Sequence, residues 1–214
     1  QINSPGGSPV QSEMISLRIR ELSEKKNIPV LAFIEDVAAS GGYWLACAAD
    51  EIFASKASIV GSIGVVSSGF GFDKAIEKLG VQRRLYTSGD NKAILDPFLP
   101  ENKEDIKRLK AIQKELHSQF IAFVKSRRGS KIKDDNKEVF TGAFWSGESG
   151  IEIGLIDSFG EMRKVLKERF GNKIKIKEFM PKKKLFGFSS LLGGAMEMLI
   201  FKIEERSILK RFGL

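Results

Sequence analysis

Cysteine and histidine are almost absent from this sequence of 214 residues, since each occurs once, as Cys47 and His117. A single cysteine cannot form a disulfide within the chain, and we expect Cys47 to be a small buried residue. No histidine or second cysteine stands near it, so the sequence predicts neither a metal site nor a cofactor. His117 lies among charged residues on the polar side of a predicted helix, which disfavours a Ser-His-Asp triad.

The first residues, QINSPGG, also lack a methionine, a basic leader and an apolar signal core. We therefore expect part of the gene product, with any anchor, to precede Gln1. The composition, 42% hydrophobic and 29% charged, excludes a disordered or fibrous chain. It predicts one globular domain with a substantial core.

The net charge of +8 is unevenly distributed along the chain. Residues 1–161 hold 21 Lys and Arg against 22 Asp and Glu, whereas residues 162–214 hold 14 against 5. No nucleic-acid-binding motif or interleaved aromatic pattern accompanies this charge, so we expect an anionic membrane surface as partner and no nucleic acid.

We place a boundary near residue 180, followed by a basic amphipathic tail over residues 181–214. Its apolar stretch, interrupted by Glu197, is too short to span a bilayer. It predicts either an interfacial helix or a helix packed on a neighbouring subunit.

Hydrophobic periodicity indicates strands that alternate with helices, which predicts an α/β fold with a mainly parallel sheet. The first predicted helix covers residues 12–26, with Ser12 as its cap and Ile15, Ile19 and Leu22 facing inward. A second helix, over residues 71–80, has Phe72, Ile76 and Leu79 inward and Gly80 as its stop. Further helices are predicted over residues 41–49, 100–128 and 162–170, and strands over residues 28–35, 81–87 and 173–179, with short strands within residues 51–68.

Ser40 lies between a predicted strand and a predicted helix, in the segment DVAASGGYWLACAAD. It is either a nucleophile on a tight turn or a small residue where the chain bends. Without a triad, a serine can be activated by a lysine whose amine is kept neutral by desolvation. Lys92, in the loop TSGDNKAILDPF, lies outside the amphipathic helices and is followed by apolar residues. It is a candidate base, although a loop lysine is commonly just solvated.

Glycines next to these residues can supply backbone N–H groups to a developing oxyanion. Gly7 stands in SPGGS, and Gly41 directly follows Ser40. The alternative is that the PGG segment forms an ordinary turn.

Five segments occur in an order and spacing that resemble the bacterial signal peptide peptidase A family. They are INSPGG, DVAASGGYWLACAADEIFA, GSIGV, GDNKAILDPF and FTGAFWSGESGIEIGLID, and the resemblance runs from Ile2 to about Lys175. It implies a crotonase-like, Clp-protease-like fold and a peptidase domain over residues 1–180. It also implies a serine-lysine dyad that cleaves leftover signal peptides at the periplasmic face of the bacterial inner membrane.

Carried over to this sequence, the resemblance makes Ser40 the nucleophile, Lys92 the general base and Ser62, in GSIGV, the hydroxyl that orients the lysine. Gly7 and Gly41 would be the oxyanion donors. Family members have further strands and usually a membrane anchor before SPGG, so we expect a domain that lacks its first strands.

Half-length members of the resembled family form rings in which the serine of one subunit meets the lysine of its neighbour. The single ASGGY and the single GDNKAILDPF segment match this half-length pattern. We therefore expect a ring-shaped homo-oligomer with shared sites, and Ser40 and Lys92 more than ~10 Å apart within one chain, well beyond hydrogen-bond reach.

Two other functions compete with the peptidase. A crotonase-type acyl-CoA hydratase or isomerase would also use paired glycine N–H groups, but it needs acidic residues over the acyl group. A catalytically idle scaffold at the membrane is the third hypothesis. Reaction with a serine-directed fluorophosphonate separates the peptidase from both.

Overall fold

The computed structural model describes residues 1–132, 137–179, 203, 206, 207 and 209–214. Its strands are β1 Ile2–Ser4, β2 Leu31–Ala39, β3 Glu51–Ala54, β4 Ile59–Gly61, β5 Phe144–Ser146 and β6 Ser158–Phe159. Its α-helices within these ranges are α1 Pro9–Lys26, α2 Gly41–Cys47, α3 Asp73–Lys78, α4 Lys103–Arg128, α5 Gly147–Glu152 and α6 Met162–Phe170. Most of the predicted tail over residues 181–214 falls outside the described residues.

The strands form one sheet with the order β5-β4-β2-β3-β6, and β1 also pairs with β2. Every pairing is parallel except the one between β4 and β5. The predicted α/β class with a mainly parallel sheet and flanking helices is therefore confirmed. Parallel strands end at the same edge of a sheet, so the loops after β2 and β4 emerge side by side.

The core is centred on β2, β3, β4 and α2. Strand residues on both faces of the sheet are buried, which explains the continuous apolar runs in the sequence. The predicted helix after Ser40 is confirmed as α2, and its Trp44 stacks on Phe120 and Phe123 of α4, with ring centroids 4.7 and 5.3 Å away. Trp44 and Phe120 are buried, and burial of a large apolar side chain contributes roughly 1.5–3 kcal/mol to folding.

The C-terminal end of α4 is fixed to the sheet by an ion pair. Arg128, which is 3% exposed, donates to an Asp157 carboxylate oxygen at 2.8 Å and to the Gly154 carbonyl oxygen. The same carboxylate accepts bonds from Lys131 and from the Ile52 N–H. Burial raises the pKa of Asp157, but these three hydrogen bonds outweigh it and leave that pKa below its usual value.

Helix α1 packs through a face adjacent to the predicted one. It begins at Pro9 with Ser8 as cap, and its buried residues are Ser12, Ser16 and Ser23. Of the side chains expected to face inward, Ile15 is 46% exposed and Leu22 is 37% exposed. The reason is close approach: a Cβ at Gly41 would lie 2.6 Å from Ser12 Oγ, so only small side chains fit between α1 and α2.

Residues 66–99, here called the arm, include α3 and contribute no buried residue. Gly80, with φ +66, follows the end of α3 as predicted. The inward placement of Phe72 and Leu79 is wrong, because they are 41% and 76% exposed. The strands expected over residues 81–87 and 173–179 are also wrong, since these segments pair with no strand in the described part of the chain.

The long predicted helix forms as α4, and it begins at Lys103 because the Asn102 side chain accepts the Glu104 N–H and caps it. Its apolar stripe is buried only towards the C-terminus, at Phe120 and Val124. None of the helices in the described ranges combines the length and the apolarity that crossing a membrane requires.

Candidate active site

Ser40 occupies the sharp turn between β2 and α2. Its backbone has φ 51° and ψ −122°, a positive-φ conformation that costs a non-glycine residue about 1–3 kcal/mol. The turn is held because the Ser40 N–H donates to the Gly61 carbonyl oxygen at 2.9 Å, and the Trp44 N–H donates to the Ser40 carbonyl oxygen at 3.0 Å. A strained serine at a strand-to-helix turn is the geometry that exposes a nucleophilic hydroxyl in other hydrolases.

Ser62 repeats this arrangement on the neighbouring strand. The parallel register pairs Ala39 with Gly61, so Ser40 and Ser62 are the next residues of two adjacent strands. Ser62 also has a positive φ, of 53°, and its N–H donates to the Ala143 carbonyl oxygen at 2.7 Å. Both serines are half-buried. The fold thus brings together two of the three predicted catalytic residues.

The SPGG loop lies directly over Ser40. A Cβ at Gly6 would lie 3.1 Å from the Ser40 Cβ, and a Cβ at Gly41 would lie 3.1 Å from the Gly7 nitrogen. Gly6, with φ +140°, adopts a conformation that L side chains rarely take. Glycine at these positions therefore allows the loop and the nucleophile turn to touch, and it sets the backbone nitrogens of Gly7 and Gly41 close to each other.

A pocket of about 20 Å³ opens beside Ser40 and is lined by Gly7, Gly41 and the apolar side chains of Trp44, Leu116 and Phe120. This volume holds about one water molecule and is far too small for a peptide. A larger cavity of about 520 Å³ lies at α6, but none of the predicted site residues lines it. The small pocket is the candidate site because Ser40, Gly7 and Gly41 line it.

His117 is placed differently from the prediction. It is half-buried, and its Nε2 lies 3.0 Å from the carbonyl oxygen of Ile63, the residue after Ser62. Helix α4 therefore contacts the Ser62 turn as well as the pocket. Sequence reasoning missed this contact, because His117 and Ile63 are far apart in the sequence and nothing local to either residue signals it.

Cys47 and Tyr43, the other nucleophilic groups near this turn, are unsuited to the chemistry. Cys47 is a free buried cysteine, as predicted, and burial raises the pKa of its thiol to about 12. Burial also raises the pKa of Tyr43 well above its ordinary value, and its hydroxyl donates to the Leu155 carbonyl oxygen at 2.8 Å. Both groups stay protonated, which leaves the serines as the candidate nucleophiles.

Lys92 lies in the arm, apart from this group. It is exposed, it does not line the Ser40 pocket, and its backbone N–H donates to the Gly89 carbonyl oxygen at 3.2 Å. The structure brings Ser40, Ser62, Gly7 and Gly41 together, and it does not place Lys92 with them. The roles of all five residues remain predictions.

A serine on a strained strand-to-helix turn, with glycines beside it, is the arrangement in which many serine hydrolases hold their nucleophile. Comparison with known families makes the class more specific, because residues 23–173 match peptidase family S49. This chain belongs to that family, which confirms the relationship and the fold class expected from its motifs and supports peptidase activity.

Two relatives show how the chain relates to longer proteins. It is 48% identical over 227 residues to a Brucella abortus protein named "Na(+)/H(+) antiporter NhaA", covering 100% of this chain and 31% of that protein. It is 35% identical over 162 residues to the "Putative signal peptide peptidase SppA" of Enterococcus faecium, covering 75% of this chain and 46% of that protein. The chain thus spans about a third to a half of the length of these relatives.

Among solved structures, an enoyl-CoA hydratase/isomerase from Marinobacter aquaeolei covers 92% of this chain at 15% identity. The chain covers 59% of that protein, with a TM-score of 0.41. This likeness is too weak to add to the family assignment.

Proposed function

We propose that this chain is a serine endopeptidase that uses Ser40 and Lys92 to cleave extended apolar peptides, including cleaved signal peptides. Its place of action would be the periplasmic face of the bacterial inner membrane. The observation that carries the proposal is the strained turn at Ser40, packed against the SPGG loop. Membership in peptidase family S49 and the name of the Enterococcus relative support the same reaction.

In the proposed reaction, the neutral Lys92 amine takes the proton of the Ser40 hydroxyl as Oγ attacks the scissile carbonyl carbon. The oxyanion accepts hydrogen bonds from the N–H groups of Gly7 and Gly41. Collapse of this intermediate breaks the C–N bond, and the Lys92 ammonium returns its proton to the leaving amine. Water then attacks the acyl ester as Lys92 takes one of its protons. Collapse of this second intermediate breaks the bond between the acyl carbon and Ser40 Oγ, and the Lys92 ammonium returns the proton to Oγ, which releases the acid and regenerates both residues. The Ser62 hydroxyl would orient the lysine amine.

We further propose that the site is completed between subunits of a ring-shaped homo-oligomer. The arm that carries Lys92 has no buried residue, and several of its apolar side chains are strongly exposed: Val66 70%, Phe70 81%, Leu79 76% and Tyr86 90%. Exposed apolar side chains grouped in one segment are typical of surfaces that another protein covers. Docking of the arm on a neighbour would desolvate Lys92, which favours its neutral amine.

The membrane partner of this proposal is an anionic lipid surface, reached through the basic residues after position 181. Charge alone supports it, since residues 162–214 hold 14 Lys and Arg against 5 Asp and Glu. Tighter binding to anionic than to neutral vesicles, reduced by salt, is the expected result. Equal partitioning into both vesicle types would remove the lipid surface from the proposal.

The nucleophile is tested by labelling the assembled protein with a fluorophosphonate and locating the adduct by mass spectrometry. Labelling of the wild type at Ser40 is expected, and Ser40→Ala should remain unlabelled and inactive on an apolar reporter peptide. Ser67→Ala, which removes an exposed hydroxyl from the arm, is the matched control and should react normally. An unlabelled wild type that is folded and assembled would favour the idle scaffold or the hydratase instead.

A further inference from the structure

Lys92 belongs to a loop whose shape is held by a carboxylate. In Asp96, one side-chain oxygen accepts from Arg83 through Nε at 3.1 Å and Nη2 at 2.8 Å. The other oxygen accepts from the Phe98 N–H at 2.9 Å. The Asp96 side chain is only 8% exposed, although the arm contributes no buried residue. Asp96 is therefore the most enclosed charged side chain in the ion pairs of the arm.

The loop around Lys92 contains two turns that need support. Gly89 has φ +104°, and the first turn closes when the Lys92 N–H donates to the Gly89 carbonyl oxygen at 3.2 Å. The second turn passes through Leu95, a non-glycine residue at φ 60°, and the Asp96 N–H donates to the Ala93 carbonyl oxygen at 3.4 Å. A left-handed leucine persists only where its surroundings enforce it. The hydrogen bonds of the Asp96 side chain directly after Leu95 provide that restraint.

Arg83 connects this loop to the rest of the arm. Its guanidinium carbon lies 5.7 Å from the ring centroid of Phe98, which in turn stacks on Phe72 at 5.6 Å. The Phe72 N–H, at the start of α3, donates to the Pro97 carbonyl oxygen at 2.6 Å. The ion pair is thus the polar centre of a small cluster that joins the end of the Lys92 loop to α3.

We infer that Arg83 and Asp96 are positioning residues for Lys92: their ion pair fixes the loop so that the amine reaches the serine of the neighbouring subunit. This inference rests on the proposed function, in which Lys92 is the base. A base displaced by about 1 Å can lose on the order of 100-fold in rate. The pair acts through the loop and need not touch the substrate.

The test uses Asp96→Asn and Arg83→Gln in the full chain, with Glu77→Gln and Arg84→Gln, which lie outside the Lys92 loop, as controls. The control residues are exposed neighbours in the same arm. We expect kcat to fall roughly 10- to 100-fold in both test variants with KM nearly unchanged, and the controls to match the wild type. Arg83→Lys keeps the positive charge and should therefore recover part of the lost activity. If Arg83 acted only by packing of its aliphatic stem, keeping the charge would not be needed for activity. Thermal unfolding monitored by circular dichroism should not change, because the arm contributes no buried residue to the core.

Lys92→Ala is measured in parallel, because it tests the role of Lys92 as base separately from the positioning role of Arg83 and Asp96. If Lys92→Ala keeps its activity, the proposed function is wrong and the inference is withdrawn with it. If Lys92→Ala is inactive while Asp96→Asn and Arg83→Gln turn over at the wild-type rate, only the positioning role is overturned. A raised KM with unchanged kcat in the test variants would also overturn it, because the pair would then act in substrate binding.

Discussion

The two halves of the candidate dyad are held by different kinds of structure. Ser40 follows a strand whose last three residues are fully buried, and it precedes a helix in which six of the seven residues are buried. Lys92 stands in an arm that contains no buried residue. The candidate nucleophile is therefore preorganised by the chain's own core, whereas the candidate base is held only by contacts within the arm. A packed core can hold a serine in a strained backbone conformation. An arm that has no core of its own needs contact with a second surface before it can hold a catalytic side chain in a fixed position.

The largest effect is expected from replacing Lys92. In an assembled protein, Lys92→Ala should reduce kcat/KM on the order of 10³-fold or more, because the hydroxyl of Ser40 then has no proton acceptor. Lys92→Arg should fail equally, since a guanidinium does not lose its proton at working pH. Peptide hydrolysis and circular dichroism are the measurements.

Neither lysine variant should unfold the protein, because Lys92 is exposed. Lys74→Ala, at another exposed lysine of the arm, is the control and should retain activity. Substantial turnover by Lys92→Ala would show that the arm does not supply the catalytic base.

On the core side of the comparison, Asp157→Asn should lower the free energy of unfolding by about 3 kcal/mol at neutral pH, because it leaves Arg128 buried without its anion. The pKa of Asp157 is lowered in the folded state. The stability that its carboxylate contributes is therefore fully present above the unfolded-state pKa of about 3.9, and it is lost as the pH falls through the folded-state pKa. Urea unfolding at pH 7 and in acid measures both effects.

The wild type and Asp157→Asn should therefore converge in stability as the pH falls below about 4. Glu148→Gln breaks the exposed pair with Lys56, in which both side chains are more than 60% exposed, and should cost less than about 1 kcal/mol. An equal loss of unfolding free energy in Asp157→Asn and Glu148→Gln would mean that burial does not determine how much each ion pair stabilises the fold.

A pair of glycine substitutions compares packing in the two regions directly. In α2, Gly42→Ala would set a Cβ 2.5 Å from the Ser4 carbonyl oxygen, and we expect a loss of about 2–3 kcal/mol in unfolding free energy. Gly69→Ala in the arm meets nothing within 4 Å and should change stability by less than about 0.5 kcal/mol. Chemical denaturation reports both, and a destabilised Gly69→Ala would reveal packing of the arm.

The smallest effect concerns His117, which touches the Ser62 turn. His117→Gln keeps a donor that can reach the Ile63 carbonyl oxygen, so kcat/KM should fall less than about threefold. His117→Phe removes the contact and should cost up to about tenfold. A loss as large as that of Lys92→Ala, with the fold intact, would instead make His117 a catalytic residue.

Much of the fold could be predicted because periodicity and turn residues act locally. The β2 strand, the α2 helix and α6 follow from apolar runs and glycine stops. The orientation of α1 could not be predicted in this way. Its apolar pattern favours Ile15 and Leu22 inside, but the close contact with α2 selects serines, and this contact exists only in three dimensions.

The candidate site divides in the same manner. A serine followed by two glycines, between a strand and a helix, already indicates a tight turn, and the structure has one at Ser40. The register that sets Ser62 beside it, and the contact of His117 with Ile63, depend on residues distant in sequence. No local signal in the sequence places Lys92 near Ser40, so the pairing of these two residues was predicted from family resemblance alone.

The most direct test of the shared site is complementation between two inactive proteins. Ser40→Ala subunits and Lys92→Ala subunits are mixed in equal amounts under conditions that let subunits exchange, and mixed assemblies are verified by native mass spectrometry. If each site joins the serine of one chain to the lysine of the next, random mixing restores roughly one quarter of wild-type activity, because one contact in four pairs two intact residues. Mixed assemblies that form and remain inactive would contradict the account and place the dyad within each chain.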